Sequence, residues 1–296
     1  MTLHSRVYLT FIFSLPTFLS FAQLPDTEIY LAEISKTGSE WNFSSAENIT
    51  NRIGYDNQPS FSPDGKSLLF VQVVDSIQSD IYKYSFKEKS TQRVTSSIES
   101  EYSPTYTPDR TKISIVRVDQ DSAQRFYTFD PIKPSQVNAV EGSDSIGYFC
   151  WLNDSLLAMF IVGEKHSLQI LNTHTHKRNF VSYDIGRCLK LSADKKSLLY
   201  LDKSDSTKWM IMSMRISDFG ISPATEAISG SEDFSPLPDG TLIMGSEGKL
   251  FSWKKSEEAK WKMLKDYSAS MGTFYRITVN ADASRIAFVA YAGKKP

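Results

Sequence analysis

A short phrase recurs along this chain and constrains its fold more than any other feature. Residues 60–70 read SFSPDGKSLLF, and residues 105–115 repeat the phrase as TYTPDRTKISI. Shorter or weaker copies stand at 151–157, 191–200, 238–243 and 280–288. The turn aspartates of the six copies are Asp64, Asp109, Asp154, Asp194, Asp239 and Asp282, spaced by 40 to 45 residues. A period of this length indicates one supersecondary unit that is repeated six times.

The residue types of the turn explain why it recurs. Proline presets φ at the second position of a tight turn, aspartate accepts bonds from backbone N–H groups ahead of it, and glycine tolerates the positive φ that follows. A calcium loop is the functional alternative, but such a loop needs oxygen ligands at several alternate positions. One aspartate per turn does not supply them, so the pattern favours turn chemistry.

Short apolar strands surround each turn. A strand follows each turn at 68–74, 113–118, 156–162, 198–201, 242–244 and 286–291. Third strands follow at 81–84, 126–129, 168–171, 210–212 and 250–253, and shorter fourth strands include 93–95 and 262–264. Four strands in every 40 to 45 residues are typical of a propeller blade. The sequence therefore predicts an all-β fold, a six-bladed β-propeller of four-stranded antiparallel blades.

The chain ends predict how the ring of blades closes. The sixth unit stops shortly after its second strand, whereas residues 28–34 read as a third strand and residues 48–50 as a fourth. The register agrees, because Ile49 precedes Pro59 by ten residues just as Val94 precedes Pro104. We expect the last blade to combine N- and C-terminal strands, which leaves no long free sheet edge. Residues 23–296 form a single propeller domain in this interpretation.

Residues 1–22 have the features of a secretory signal peptide. His4 and Arg6 precede an apolar run over 7–21, and small residues at Ser20 and Ala22 fit a cleavage site. The run is shorter than the roughly 20 apolar residues of a membrane span. The sequence therefore predicts cleavage before Gln23, a periplasmic or secreted mature chain, and no stable membrane insertion after cleavage.

The repeat resembles that of a known family. With its Ser-Phe-Ser-Pro-Asp-Gly-Lys phrase, followed by Ile-Tyr and Val-Thr pairs, the chain is similar to the TolB-like propellers, whose repeats are WD40-like. The resemblance covers residues 23–296 and is strongest at 61–70 and 106–115. It implies six four-stranded blades in a secreted or periplasmic molecule. Because the first strand begins soon after the predicted cleavage site, we expect no counterpart of the additional N-terminal α/β domain that TolB carries.

Charge and motifs narrow the function. The formal net charge is −1, which lacks the basic excess that nucleic-acid binding requires. The chain contains no Gly-x-Ser-x-Gly elbow, His-Glu-x-x-His motif, phosphate-binding glycine loop or Cys-x-x-Cys pair. His174 and His176 could share a strand face and hold a metal, but they fall where two strands should turn and have no partner at ligand spacing. We therefore predict no catalytic residue, no metal and no cofactor.

Two cysteines invite a disulfide if the protein is exported. Cys150 and Cys188 stand four and six positions before their turn aspartates, which puts them on equivalent faces of neighbouring inner strands. Equivalent faces point the same way round a ring, so one cysteine would face its neighbour while the other faces away. We expect two unpaired thiols.

The strand that leads into each turn should line the central channel, and the loop before it should border one mouth. Positions six and seven residues before the turn aspartates carry charged, amide and tyrosine side chains. The predicted binding residues are Asn57, Tyr102, Tyr148, Arg187, Glu232, Asp233, Tyr275 and Arg276. Polar loops are common before any strand, but tyrosine and arginine carry much of the binding energy where a surface is occupied.

Two hypotheses about function remain open. The first is a monomeric, exported, non-catalytic propeller that binds a protein, peptide or glycan partner in the cell envelope at this mouth. The second is an enzyme, such as a lyase, hydrolase or cyclotransferase, whose site is assembled from residues distant in sequence. Carboxylate, histidine and arginine converging in the channel would favour the enzyme. The histidines at 166, 174 and 176 fall away from the inner strands, which favours the binding module.

Overall fold

The computed structural model describes residues 24–74, 78–256 and 260–293, which form a ring of six antiparallel sheets. The predictions of an all-β fold and of a six-bladed propeller are both confirmed. The predicted signal peptide and Gln23 lie outside the described residues. In the part of the chain that is described, no helix is long and apolar enough to cross a membrane.

The strands follow the chain from the inner to the outer edge of each blade. The N-terminal strands β1 (Thr27–Thr37), β2 (Glu40–Phe43) and β3 (Glu47–Asn48) belong to blade 6. Blade 1 contains β4 (Asp56–Phe61), β5 (Ser67–Val74), β6 (Gln78–Ser85) and β7 (Ser90–Arg93). Blade 2 contains β8 (Ser100–Tyr106), β9 (Ile113–Val118), β10 (Gln124–Phe129) and β11 (Val137–Ala139). Blade 3 contains β12 (Ile146–Trp151), β13 (Leu156–Ile161), β14 (Ser167–Asn172) and β15 (Arg178–Tyr183).

The remaining blades repeat this order. Blade 4 contains β16 (Ile185–Leu191), β17 (Ser197–Asp202), β18 (Met210–Arg215) and β19 (Ile221–Glu226). Blade 5 contains β20 (Phe234–Pro236), β21 (Leu242–Ser246), β22 (Lys249–Trp253) and β23 (Lys262–Asp266). A one-turn helix, α1 (Ser268–Met271), leads to β24 (Phe274–Val279) and β25 (Arg285–Tyr291) of blade 6. The first strands of most neighbouring blades lie side by side around the channel.

The second strand of a blade is buried on both faces because neighbouring blades cover it. In β5, Leu68 and Phe70 pack against blade 6, whereas Leu69 and Val71 pack against blade 2. All four side chains are fully buried. Alternate side chains thus enter different cores, which explains the continuous apolar runs of these strands. Burial of each such side chain contributes about 1.5–3 kcal/mol, so the cores between blades hold the ring together.

The two ends of the chain close blade 6, as predicted. Strands β1 and β25 pair in antiparallel register from Thr27 opposite Tyr291 to Glu33 opposite Arg285. Side chains of β1 then complete the apolar cores on both sides, since Ile29 packs towards blade 1 and neighbouring residues pack towards blade 5. The ring of described strands therefore depends on residues from both ends of the chain.

The outer strands of blades 6 and 1 do not lie where the sequence predicted them. In place of a fourth strand at 48–50, β2 pairs with one end of β1, and the two-residue β3 pairs with the other. Thr50 follows β3, and its hydroxyl accepts the N–H of Ile29 (3.0 Å). Likewise β7 ends at Arg93, and the Thr95 hydroxyl accepts the N–H of Ile81 (3.0 Å). A threonine side chain thus replaces a backbone acceptor at the place where each strand was expected to continue.

Strand β2 also ties blade 6 to the turn of blade 5. Trp41 Nε1 donates to Asp239 Oδ2 (3.2 Å), and Lys36 Nζ lies 3.0 Å from the same oxygen. Burial opposes ionisation of Asp239, but hydrogen bonds from Lys36, Thr241 and Trp41 outweigh it and hold the pKa of this carboxyl well below its usual range. Strands β1 and β2, which belong to blade 6, therefore also contact blade 5.

The turn aspartates bind the backbone of their own turns. Asp64 Oδ1 accepts bonds from Ser62 Oγ (2.6 Å) and from the N–H of Lys66 (3.1 Å). The same bond to the N–H two residues ahead is made by Asp109, Asp194, Asp239 and Asp282. In blade 3 the equivalent residue is Asn153 rather than the predicted Asp154, because Asn153 Oδ1 accepts the N–H of Ser155 (3.0 Å). An amide oxygen can take this bond as a carboxylate does.

Candidate functional site

An ionic network joins blades 4, 5 and 6 at the start of their inner strands. Arg187 Nε donates to Asp233 Oδ1 (3.0 Å), and Arg187 Nη1 lies 3.7 Å from Glu232 Oε2. Glu232 also accepts from Lys203 Nζ (2.6 Å), a residue directly after β17. On the other side, Arg276 Nε lies 3.6 Å from Asp233 Oδ2. One network thus joins four predicted residues, Arg187, Glu232, Asp233 and Arg276. The Asp233 carboxylate within it is buried.

Side chains from other blades extend this network. Arg276 Nη2 donates to Tyr148 Oη (3.4 Å), and its guanidinium lies 5.3 Å from the centre of the tyrosine ring. Asn57 Nδ2 donates to Tyr275 Oη (2.5 Å). The carbonyl oxygen of Tyr275 in turn accepts from Arg187 Nη2 (3.3 Å). The structure therefore brings predicted residues of five blades into one connected group.

Two further tyrosines, Tyr55 and Tyr102, lie near these residues. Tyr102, the predicted residue of blade 2, packs into the apolar cores on both sides of its blade. Tyr55, which precedes β4, was not predicted. Burial raises the pKa of Tyr55, and the nearby charge of Arg276 opposes this shift. Tyr55 stands outside the six-and-seven spacing, so the repeat carried no signal for it.

The inner strands are bulged beside these residues. Gln58 and Ser103 both have φ of +53°, and the pairing register shifts at the same places. Gln58 Oε1 accepts the N–H of Ser103 (2.6 Å), which links blade 1 to blade 2. Register shifts also occur in the inner strands of blades 3, 4 and 6. The bulge, which redirects side chains at a strand edge, is therefore a feature of the repeat.

A cavity of about 550 Å³ occupies the central channel. Tyr148, Arg187, Asp233 and Arg276 line its inner end. On every blade, the first residue that lines the cavity is a predicted residue or the residue directly after one. On all blades except blade 5, residues further along the inner strand towards the turn also line the cavity. Four of the eight predicted residues thus line the bottom of a cavity that extends to the face carrying the Pro-Asp-Gly turns, hereafter the turn face, whereas Asn57, Tyr102, Glu232 and Tyr275 do not line it. Its volume lies within the range of roughly 300–1,000 Å³ that is usual for ligand pockets.

The other candidate residues lie away from this cavity or are inert. His174 and His176 are exposed in the turn between β14 and β15, where the sequence placed them. Cys150 and Cys188 are unpaired, as expected, and each packs towards the next blade. Burial raises the pKa of the Cys150 thiol to about 11 and that of Cys188 to about 12. Within the described ranges, no three His, Cys, Asp or Glu side chains gather as a metal site would require.

A buried carboxylate next to Asn57 makes stability depend on pH. Burial raises the pKa of Asp56 from its ordinary value of 3.8 to about 7, although the ion pair with Arg52 (3.1 Å) opposes the shift. The folded state then holds a proton that the unfolded state releases near pH 4, so stability should fall as the pH rises from about 4 to about 7, by roughly 4 kcal/mol. Urea unfolding of the parent and of Asp56→Asn across this interval measures the effect. An equal pH slope in both proteins would contradict it.

Comparison with known proteins supports the fold. No family model matches the sequence, and no curated protein matches it. A TolB protein from Agrobacterium tumefaciens superposes with a TM-score of 0.69 at 12% identity, over 91% of this chain and 99% of that one. An oligogalacturonate lyase from Vibrio parahaemolyticus gives 0.58 at 12%, over 86% and 83%. A gluconolactonase from Xanthomonas campestris gives 0.61 at 8%, over 88% and 95%. At such identities the likeness shows the propeller fold and leaves the activity open.

Proposed function

We propose that this protein is an exported, non-catalytic propeller whose central channel holds part of a protein, peptide or glycan partner. The observation that carries the proposal is the channel cavity, whose inner end is built by charged and tyrosine side chains from four blades. A volume of about 550 Å³ suits a small ligand or a short extended segment. The partner would therefore insert one end into the channel rather than cover it with a folded surface.

The predicted residues divide into two groups in this proposal. Tyr148, Arg187, Asp233 and Arg276 line the cavity and would touch the ligand. The others hold these four in place: Glu232 and Tyr275 both contact Arg187, Asn57 bonds to Tyr275, and Tyr102 packs beneath the inner strands. A site with such support is preorganised, which reduces the entropy lost on binding.

The chemistry of the inner end favours binding over catalysis. Asp233, the one carboxylate among the residues that line the described cavity, is occupied by ion pairs with the guanidinium groups of Arg187 and Arg276. No histidine is among the residues that line the described cavity. The folds of the lyase and the lactonase show that such a ring can carry enzymes, so an enzyme is the alternative to the binding module.

A steric block tests the proposal without reference to the chemistry of the ligand. Ala281 is exposed in the blade 6 turn and borders the cavity, whereas Ala193 occupies the equivalent turn position in blade 4 and does not. We expect Ala281→Trp to abolish capture of partners from an envelope extract and Ala193→Trp to leave capture unchanged. Both variants should melt like the parent, because both positions face solvent.

An outer-loop variant completes the comparison. His174→Ala combined with His176→Ala changes the surface between β14 and β15, far along the blade from the channel. Capture that survives Ala281→Trp but is lost with the histidine variant would place the binding surface on the outer rim and refute the channel proposal.

Export is part of the same proposal. The signal-peptide pattern of residues 1–22 supports it, and the partner would then belong to the cell envelope. Intact-mass measurement of the protein from its host should give a chain that begins at Gln23. A mass that includes residues 1–22 would contradict export by cleavage.

A further inference from the structure

The channel cavity carries much more positive charge than the protein as a whole. Its lining contains five cationic side chains and one carboxylate, Asp233. The cations are Arg110, Arg187, Lys190, Lys195 and Arg276. The complete chain has a formal net charge of −1, so this excess is local. A cleft lined by one sign of charge concentrates ligands of the opposite sign.

Two of these cations stand in a strained backbone position at the turn face. In blades 1 and 5 the third turn residue is glycine, Gly65 and Gly240, with φ of +66° and +82°. The same position holds Arg110 in blade 2 (φ +64°) and Lys195 in blade 4 (φ +58°). Left-handed backbone is unfavourable for residues with a Cβ. In blade 6 the position holds Ala283 (φ +52°), so the strain is shared by three turns, and two of the three present a cation that borders the cavity.

The turn aspartates beside these cations do not neutralise them by direct pairing. Asp109 Oδ1 accepts bonds from Thr107 Oγ1 (2.5 Å) and from the N–H of Thr111 (3.0 Å). Asp194 Oδ1 likewise accepts from Ser192 Oγ and from the N–H of Lys196. No ion pair within 4.0 Å of Arg110 or Lys195 is found among the described residues. Their charges therefore remain available at the entrance.

Positive charge continues down the channel. Lys190 lies between the entrance and the ionic network, and its Nζ contacts only a neutral hydroxyl among the described partners, Thr278 Oγ1 (3.3 Å). At the inner end, Arg276 Nε is buried with no hydrogen-bond acceptor in the described structure. That nitrogen faces Asp233 Oδ2 at 3.6 Å. The Arg276 side chain also lines the cavity, where its positive charge attracts an anion.

We propose that the channel binds an extended organic ligand that carries several carboxylates along its length. Three levels of cations match charges spaced along such a ligand: Arg110 and Lys195 at the entrance, Lys190 midway, and Arg276 at the inner end. Trp151, Tyr106 and Tyr148 also line the cavity, and these rings suit the carbon skeleton of an organic acid more than an inorganic polyanion. This inference rests on the proposed function and adds the chemical class of the ligand.

The test uses acidic probes paired with neutral probes of the same size. Titration calorimetry with hexaglutamate and with a trisaccharide of uronic acids distinguishes a peptide source from a saccharide source. Hexaglutamine and the neutral parent trisaccharide are their counterparts. We expect at least one acidic probe to bind about tenfold or more tightly than its counterpart, and the affinity to fall as salt rises.

Glycine variants separate the role of the entrance cations from their effect on folding. Arg110→Gly combined with Lys195→Gly should raise Tm, by about 2–4 °C per site, because the left-handed strain is relieved. The same double variant should bind the acidic probe about tenfold more weakly. Lys89→Gly is the matched control: Lys89 is an exposed cation with φ of +46° in the turn between β6 and β7, away from the channel. It should gain stability and bind the probe as the parent does.

Each result has a defined meaning. Equal affinity for acidic and neutral probes, no binding of either acid, or unchanged affinity in the double glycine variant would overturn the inference. So would binding of inorganic polyphosphate in preference to both organic acids. The proposed function is judged separately: a neutral probe that binds the parent but not Ala281→Trp would keep the channel as a binding site while rejecting an anionic ligand.

Discussion

A chain that begins at residue 51 should fail to unfold as a cooperative unit. The deletion removes β1, β2 and β3, and with them the partner of β25. The removed side chains of Ile29, Ile34 and Phe43 are all buried in cores between blades. Each contributes about 1.5–3 kcal/mol, against a typical net stability of about 5–15 kcal/mol. The backbone pairing along β1 is lost in addition.

Thermal and urea unfolding followed by circular dichroism measure this effect. The chain that begins at Gln23 is the control, because it lacks only residues 1–22 and keeps every described strand. A sharp transition of the shorter chain, near that of the control, would show that closure by the terminal strands contributes little to the stability of the ring.

Replacement of Asp233 by alanine should destabilise the protein by about 3–5 kcal/mol, the usual cost of leaving a buried charge without its partner. Asp233 is 7% exposed and faces Arg187 at 3.0 Å and Arg276 at 3.6 Å. Its removal leaves two half-buried or buried guanidinium groups beside each other. Arg187→Glu should also destabilise the protein, because it places a third carboxylate beside Asp233 and Glu232. A solvent-facing position would tolerate the same substitution.

The matched control is Asp144→Ala, which breaks an ion pair with Arg125 at the surface. Asp144 Oδ1 lies 3.1 Å from Arg125 Nε, but its side chain is 64% exposed. Loss of an exposed pair costs about 0–1 kcal/mol. If urea unfolding shows the same small loss for Asp233→Ala as for Asp144→Ala, the network is solvated and the buried-charge argument is wrong.

The repeat made the architecture predictable because each blade uses the same local chemistry. A tight turn followed by an apolar strand recurs at a fixed period. The number of copies predicts the number of blades, and the register of the terminal strands predicts how the last blade closes. The short strand β2 escaped prediction because Glu40–Phe43 has only one strongly apolar pair, Trp41 and Phe43. The role of Asn153 escaped because Asp154 beside it matched the repeat by residue type, whereas the hydrogen bond to Ser155 selects the other residue.

The candidate site was predictable in its residues but not in its geometry. Spacing from the turns gathered Arg187, Asp233 and Arg276 at one level of the channel, but the pairing of their charges depends on side-chain directions set by the bulges. The entrance cations were missed although the repeat carried a signal for them. Arg110 and Lys195 stand where the phrase has glycine, and a charged residue in that position is unexpected on backbone grounds.

The pairing of β1 with β25 also affects the rate and the order of folding. Paired residues of the two strands are more than 250 positions apart in the sequence, so the last contact of the ring cannot form until almost the whole chain is available. Contacts this distant in sequence slow folding, because the entropy of loop closure is lost before the pairing compensates for it. A chain that emerges N-terminus first would hold β1 without its partner throughout its emergence. Refolding after dilution from urea should therefore be limited by ring closure, with blades 1 to 5 gaining strand structure before β1 becomes protected from hydrogen exchange.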